Sequence, residues 1–164
     1  MLTEPKIVTR AAQPFAAIVL TLRQPEIAQK APPLVEDVIA WVRQHGGQPA
    51  GAPYFNYVNF LPGGTMEMQV GVPTEAVLKG DGKVTTGTLP GGRFASMTLT
   101  GPYQELHDVN MKLGDWARQA GYNLDGEEES DRFVGATRME IYHTDPGIDP
   151  SGDPVTEVAF RLAQ

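Results

Sequence analysis

Glu140 and Tyr142 are the residues of this chain whose types and spacing could do chemistry. They belong to a segment that alternates polar and apolar residues, as a β-strand does, with Met139 and Ile141 at the alternate positions. Side chains two apart on a strand share a face, so a carboxylate would stand beside an aromatic ring. That pair could neutralise and stack on a flat cation, or it could transfer a proton. The alternative is an ordinary edge strand whose glutamate faces solvent.

The segments that would position this pair form two similar halves, about 1–80 and 81–164. Each half predicts a long interrupted β segment, a helix and two strands. Residues 41–46 (WVRQHG) also match residues 116–121 (WARQAG), which indicates an internal repeat. Residues 23–31 read as a loop and residues 145–154 as a turn. The predicted elements are 6–22 (broken at 12–14), 34–45, 54–61 and 65–72, then 83–99 (broken at 90–92), 103–120, 133–144 and 155–162.

Two such units predict a single α+β domain over residues 1–164. We expect a pseudo-two-fold duplication of a strand-helix-strand-strand unit, with one antiparallel sheet, two helices on one face and a ligand cleft on the other. If Met139 and Ile141 point at the helices, the open face would gather polar side chains. These are Glu67, Gln69, Glu140, Tyr142 and Glu157.

Other side chains are candidates for the same cleft. Tyr54 and Asn56 share a face, and both would line the cleft if Asn56 is the repeat equivalent of Glu140; a register shift of one residue would reverse this. Glu67 would add negative potential or would be solvated. Tyr103, at a helix start, would close the cleft or fix the turn. Trp116 and Phe160 complete the candidates, although Trp116 also fits a core position on its helix.

Composition excludes several classes of function. The net charge is −7, with 20 acidic and 13 basic residues, so binding to the phosphates of nucleic acid is not expected. No apolar run is long enough for a membrane helix, and residues 1–6 lack the layout of a signal peptide. The absence of cysteine excludes disulfides and thiolate sites and suits a cytoplasmic protein. The three histidines lack metal-ligand spacing, so we expect no metal and no cofactor.

An ordered set of short motifs gives the chain a family resemblance. The motifs include Gly51-Ala52-Pro53-Tyr54-Phe55, Leu89-Pro90-Gly91-Gly92-Arg93-Phe94-Ala95, Gly101-Pro102-Tyr103, Glu140-Ile141-Tyr142 and Asp145-Pro146. Over nearly its whole length the chain resembles the GyrI-like small-molecule-binding domains. These include the effector-binding domains of AraC-type and MerR-type multidrug regulators, and their fold is SOUL-like.

The resemblance implies an aromatic-lined cleft between the two halves, with Glu140 as the family's buried glutamate. In drug-sensing members that residue neutralises a lipophilic cation. Without a DNA-binding segment, this chain resembles the stand-alone members, some of which bind toxins, resemble hydrolases of cyclopropane-bearing alkylating compounds, or protect DNA gyrase. The acidic insertion 126–131 departs from the shortest members and could alter the cleft rim.

Three functions therefore remain open at the sequence level. The first is a binding protein that senses or sequesters lipophilic, aromatic, cationic small molecules, alone or through a separate regulator. The second is a hydrolase in which Glu140 activates water and Tyr142 assists. The third is an interaction module that contacts gyrase or a regulator through the acidic residues 127–131. No complete catalytic set accompanies Glu140, which favours binding over hydrolysis.

Overall fold

Strands from both halves of the chain build one curled antiparallel sheet. The computed structural model describes residues 1–144 and 152–163. The described strands are β1 (Lys6–Arg10), β2 (Gln13–Arg23), β3 (Tyr54–Phe60), β4 (Thr65–Pro73), β5 (Thr85–Leu89), β6 (Gly92–Thr100), β7 (Glu127–Glu129), β8 (Arg132–Val134), β9 (Arg138–Tyr142) and β10 (Val155–Arg161). The described helices are α1 (Ile27–Lys30), α2 (Leu34–Gln44) and α3 (Leu106–Gln119). The sheet order is β1-β6-β10-β9-β3-β4-β2-β5, and a β7–β8 hairpin joins β3.

The chain crosses between the two ends of the sheet at two short breaks, one between β1 and β2 and one between β5 and β6. β1 pairs with β6 but continues directly into β2, whose outer partner is β5; β5 in turn continues into β6. The breaks meet closely, since a Cβ on Gly91 would lie 2.6 Å from the nitrogen of Ala12 and 2.9 Å from the carbonyl of Arg10. Only glycine fits such a contact. The duplicated α+β plan is thus confirmed, and each half has an interrupted β segment; the first break falls at residues 11–12, since Gln13 and Pro14 already pair within β2.

Each face of the sheet buries its own apolar cluster. On the outer face, α3 packs on β6 and β10, and α2 packs on β4 and β2. Leu113 and Val38, both fully buried, sit at these two contacts. The inner face encloses a third cluster, which draws on strands from both halves. Its buried members are Phe15, Ala17, Tyr54, Phe94, Met139, Ile141 and Ala159.

The cleft lies on the helix-covered face, and our expectation that it would lie opposite the helices is wrong. Met139 and Ile141 point into the inner cluster, which sends Glu140 and Tyr142 to the side of α2 and α3. The register agrees, because Phe55 is the strand partner of Glu140 and Asn56 that of Met139. The expectation assumed that two helices cover a whole face. Instead they sit over its two flanks and leave β3 and β9 open between them.

Smaller differences concern the connections. The segment predicted as a loop at 23–31 forms a 3₁₀ turn, Gln24–Glu26, followed by α1. The acidic insertion forms the β7–β8 hairpin, and the predicted strand 133–144 is divided between β8 and β9. The predicted turn 145–154 falls mainly outside the described residues.

Over residues 1–144 and 152–163, no helix is long and apolar enough to cross a membrane.

Candidate functional site

A cavity of about 1520 Å³ lies between α2 and α3, above β3 and β9. Its size suits a ligand with several rings. The walls are apolar side chains of the two helices, such as Val35 and Ile39 on α2 and Met111 on α3. The floor comes from alternate residues of β3 and β9, because side chains two apart on a strand share a face. These floor residues are Phe55, Tyr57, Arg138, Glu140 and Tyr142.

Glu140 is the centre of a hydrogen-bond network in the cavity floor. Its side chain is 7% exposed. The hydroxyls of Tyr57 and Tyr142 both donate to Oε1, each at 2.9 Å. The side-chain amide of Asn110 donates to Oε2, also at 2.9 Å, and to the carbonyl of Leu106 at 2.7 Å. Both oxygens of the carboxylate are therefore held in place by α3, β3 and β9.

The three donors satisfy the carboxylate without balancing its charge. Each is a neutral hydroxyl or amide, and Glu140 forms no ion pair within the described part of the chain. Burial raises the pKa of both Tyr57 and Tyr142, and the charge of Glu140 raises each further. The phenols thus remain protonated donors. The carboxylate is therefore buried without a direct ionic partner among the described residues.

Aromatic rings frame this carboxylate. The ring of Tyr142 meets that of Phe55 edge-on, with centroids 4.8 Å apart and planes at 71°. The ring of Tyr103 also meets that of Tyr142 edge-on, with centroids 5.8 Å apart and planes at 89°. Tyr103 is also one of the more exposed large side chains and lines the cavity. The faces of such rings attract cations and stack on flat ligands.

Half of the side chains predicted for the site lie at the cavity. Glu140, Tyr142, Tyr103 and Phe160 line it together. The facing predicted for Tyr54 and Asn56 is wrong, because both side chains project to the inner face of the sheet. Tyr54 is 2% exposed in the inner cluster, while Asn56 accepts a hydrogen bond from the backbone nitrogen of Arg138 at 3.0 Å.

The remaining two predicted residues are also away from the cavity lining. Glu67 lies on β4 opposite Thr21 and Asn59, on the face away from the helices. Trp116 packs against the cluster beneath α3, with its ring 5.8 Å from that of Tyr122. These positions fit a solvated glutamate and a core tryptophan, the readings that the sequence also allowed.

Sequence reasoning missed Tyr57 and Asn110. Tyr57 follows from the corrected register, since it shares a face with Phe55, the partner of Glu140. Asn110 stands four residues after Leu106 and four before Gly114, on the cavity side of α3. An amide and a glycine at this spacing, beside an apolar stripe, are the signal that could have marked a helix face lining a polar cavity.

A second buried carboxylate lies on the other side of the sheet. Glu157 accepts hydrogen bonds from Ser96 Oγ at 2.6 Å and from Arg10, and its Oε1 lies 3.0 Å from His143 Nε2. Burial raises the pKa of Glu157, but the bonds from His143, Arg10 and Ser96 outweigh it and hold that pKa at about 2. Unlike Glu140, this glutamate has a cationic partner of its own.

Within residues 1–144 and 152–163, no three His, Asp or Glu side chains are grouped so that they could hold a metal ion. The donors around Glu140 are phenols and an amide, which are hydrogen-bond donors and not metal ligands in this arrangement.

Known structures share the fold over almost the whole chain. The C-terminal domain of EcmrR aligns with a TM-score of 0.75 at 14% identity, covering 98% of both chains. EcmrR in complex with DNA aligns with a TM-score of 0.74 at 15% identity; the match covers 98% of this chain but 57% of that one. SAV2435 bound to tetraphenylphosphonium aligns with a TM-score of 0.64 at 16% identity, covering 98% of this chain and 94% of that one.

The sequence itself assigns the family. A comparison with curated protein sequences found no match. The family model of the GyrI-like small molecule binding domain, however, matches residues 3–163. The cavity agrees with that description of a small-molecule-binding domain. This chain therefore belongs to the GyrI-like small-molecule-binding domain family.

Proposed function

We propose that this protein binds lipophilic aromatic cations in the cavity between α2 and α3, with Glu140 as their counter-charge. The observation that supports this most is the state of the carboxylate. Glu140 is buried, and its oxygens already accept three hydrogen bonds, but it forms no direct ion pair with a cation of the described chain. The carboxylate of Glu140 therefore needs the positive charge of a ligand and does not need further hydrogen-bond donors from it.

This requirement favours one class of cation. An ammonium group must find acceptors for its N–H groups when it leaves water, and here Tyr57, Tyr142 and Asn110 already occupy the carboxylate. A quaternary or delocalised cation has no such need and interacts by charge and by contact with aromatic rings. Phe55, Tyr103 and Tyr142 provide those rings. The protein SAV2435, which shares this fold, has been solved with such a cation, tetraphenylphosphonium.

Biologically, such binding suits detection or sequestration of toxic aromatic cations. The family includes domains that recognise small molecules, and the EcmrR domain with the same fold belongs to a DNA-bound protein. We propose that this chain acts as a ligand-binding unit. Its net charge of −7 would oppose direct contact with nucleic acid.

The test compares two ions of one shape and opposite charge. Calorimetry with tetraphenylphosphonium and with tetraphenylborate should show saturable binding of the cation alone. Glu140→Gln should weaken cation binding at least about tenfold, because the ligand loses its counter-charge in a buried site. Glu67→Gln removes the same charge on the other face and should leave the affinity unchanged.

Two results would overturn the proposal. Equal binding of both ions would show that the cavity recognises shape without charge. Equal loss in Glu140→Gln and Glu67→Gln would show that only the net charge of the protein matters. Product analysis of the same mixtures tests the alternative function, hydrolysis. If the wild-type protein converts a ligand to product over many turnovers and Glu140→Gln does not, the protein is a hydrolase.

A further inference from the structure

Arg138 gives the same cavity a second charged group. It lies two residues before Glu140 on β9, on the same face, so the two side chains start about 7 Å apart along the strand. Both line the cavity, and Arg138 is only 9% exposed. Phe160, its strand partner on β10, lines the cavity beside it.

The guanidinium of Arg138 is held rigidly from the side of the protein. Nη1 donates to Oδ1 of Asp125 at 2.5 Å and to the carbonyl of Thr137 at 3.2 Å, and Nη2 donates to the carbonyl of Asp125 at 2.6 Å. The rings of Phe160 and Phe133 lie 5.6 and 5.8 Å from its Cζ. A group fixed in this way loses little freedom when a ligand binds.

Its hydrogen bonds leave donor hydrogens unused at Nε and at Nη2. Among the contacts of the described residues, none involves Nε, and Nη2 makes one bond although it has two hydrogens. In a guanidinium, Nε–H and one of the two Nη2 hydrogens lie parallel, and such a pair can bind a carboxylate through two parallel bonds.

The local charge also favours an anion at this end. Asp125 is shared, because Arg161 Nη1 lies 3.7 Å from its Oδ2 while Arg138 contacts Oδ1. Two guanidinium groups therefore face one carboxylate, which leaves a positive excess. Glu140, one pleat further along β9, leaves a negative excess. The cavity is thus dipolar, with a charged group of each sign and no direct ion pair between them.

We propose that Arg138 forms an anion subsite, and that the preferred ligands of this protein are aromatic zwitterions that carry a carboxylate as well as a delocalised cationic centre. This inference rests on the proposed function, because it requires that the cation lies at Glu140. It narrows the ligand class from lipophilic cations in general to those that also present a carboxylate to Arg138.

Rhodamine B and its ethyl ester are matched probes for this proposal. Both carry the same aromatic cation, but only the acid has a carboxylate. Fluorescence polarisation with the wild-type protein should show the acid binding about tenfold more tightly than the ester, as expected for a charged hydrogen-bonded pair. If the ester binds as tightly as the acid or more tightly, the anion subsite does not exist. That result needs no mutant.

Substitutions then locate the preference. Arg138→Met should reduce the tenfold ratio to about one, and Arg138→Lys should retain part of it, because charge remains while the paired donors are lost. Arg132→Gln removes an exposed arginine and should preserve the ratio. Glu140→Gln should weaken both dyes equally and leave the ratio unchanged. A ratio that persists in a folded Arg138→Met protein, checked by thermal unfolding, would overturn the assignment to Arg138.

The outcomes separate the two proposals. If tetraphenylphosphonium and the rhodamine ester both bind through Glu140 but the acid gains nothing, the binding function stands and the anion subsite fails. If neither the phosphonium nor either dye binds, the cation site itself fails. Binding of the acid that responds to Arg138→Met but not to Glu140→Gln would also overturn the proposal, since it would describe an anion site and not a zwitterion site.

Discussion

Asn110 and Glu140 connect the helix wall of the cavity to its floor. The amide of Asn110 donates both to Oε2 of Glu140 and to the carbonyl of Leu106, so one side chain joins α3 to β9. Glu140 in turn accepts a hydrogen bond from the hydroxyl of Tyr57 on β3. The position of the carboxylate thus depends on one helix and two strands. A small displacement of α3 should therefore move the carboxylate and change the affinity for a ligand.

Replacement of Asn110 should therefore distinguish positioning from charge. Asn110→Asp would place a second carboxylate about as far from Glu140 as the amide now is, at 2.9 Å. Two carboxylates this close repel, so the free energy of unfolding should fall at neutral pH and recover as acid protonates one of them. Asn110→Leu should lower stability by about 1–3 kcal/mol with no such recovery. Urea unfolding at several pH values measures both; identical pH profiles for the two variants would contradict the expectation.

The buried phenols predict sensitivity to alkali. Burial raises the pKa of Tyr54, and burial followed by the charge of Glu140 raises the pKa of Tyr57 and Tyr142. A raised pKa in the folded state means stability that is present below about pH 10, where unfolded tyrosine ionises, and lost above it. Ultraviolet titration of tyrosinate should show these three groups ionising only on unfolding. Each single Tyr→Phe variant should lack the signal of one of these three groups. Ionisation of all three near pH 10 in protein that is still folded would contradict the expected pKa shifts.

The pKa of Glu157 predicts loss of stability in acid. A carboxyl with a folded pKa of about 2 stabilises the native state above its unfolded value of 4.5, and that contribution disappears as the pH falls from about 4.5 towards 2. Glu157→Gln should be less stable than wild type at neutral pH, because Arg10 loses its partner, and should show less additional loss over this range. Glu127→Gln, on the exposed β7 strand, is the control. Denaturant unfolding across the range tests the difference.

Two glycines should respond to alanine in opposite ways. A Cβ on Gly114 would lie 3.7 Å from Arg118 and 4.0 Å from Phe160, which are ordinary contacts. Gly114→Ala should stabilise α3 by up to about 1 kcal/mol and narrow the cavity. A Cβ on Gly71 would lie 2.6 Å from the hydroxyl of Tyr54, so Gly71→Ala should destabilise the protein. Thermal unfolding gives both values, and equal shifts of the two variants would contradict this account.

The sequence predicted the elements better than their orientation. Both breaks, the two main helices and the duplicated plan follow from proline and glycine positions and from periodicity, which are local properties. Which face of β9 meets the helices is not local. It depends on where α2 and α3 sit over the sheet, and both are placed by packing against strands distant in sequence. Glu140 and Tyr142 were found by their pairing along one strand, whereas Tyr57 and Asn110 required the three-dimensional register.

The meeting of Gly91 and Ala12 has a consequence for how the molecule assembles. β1 comes from the first half but completes the sheet beside β6, and β5 from the second half does so beside β2. The two repeats have thus exchanged their outer strands, as protomers of a domain-swapped dimer do, but within one chain. Neither repeat can complete its sheet alone, and contacts between residues some 80 positions apart must form together. The carboxylate and its rings therefore come into position only when both repeats have folded around each other.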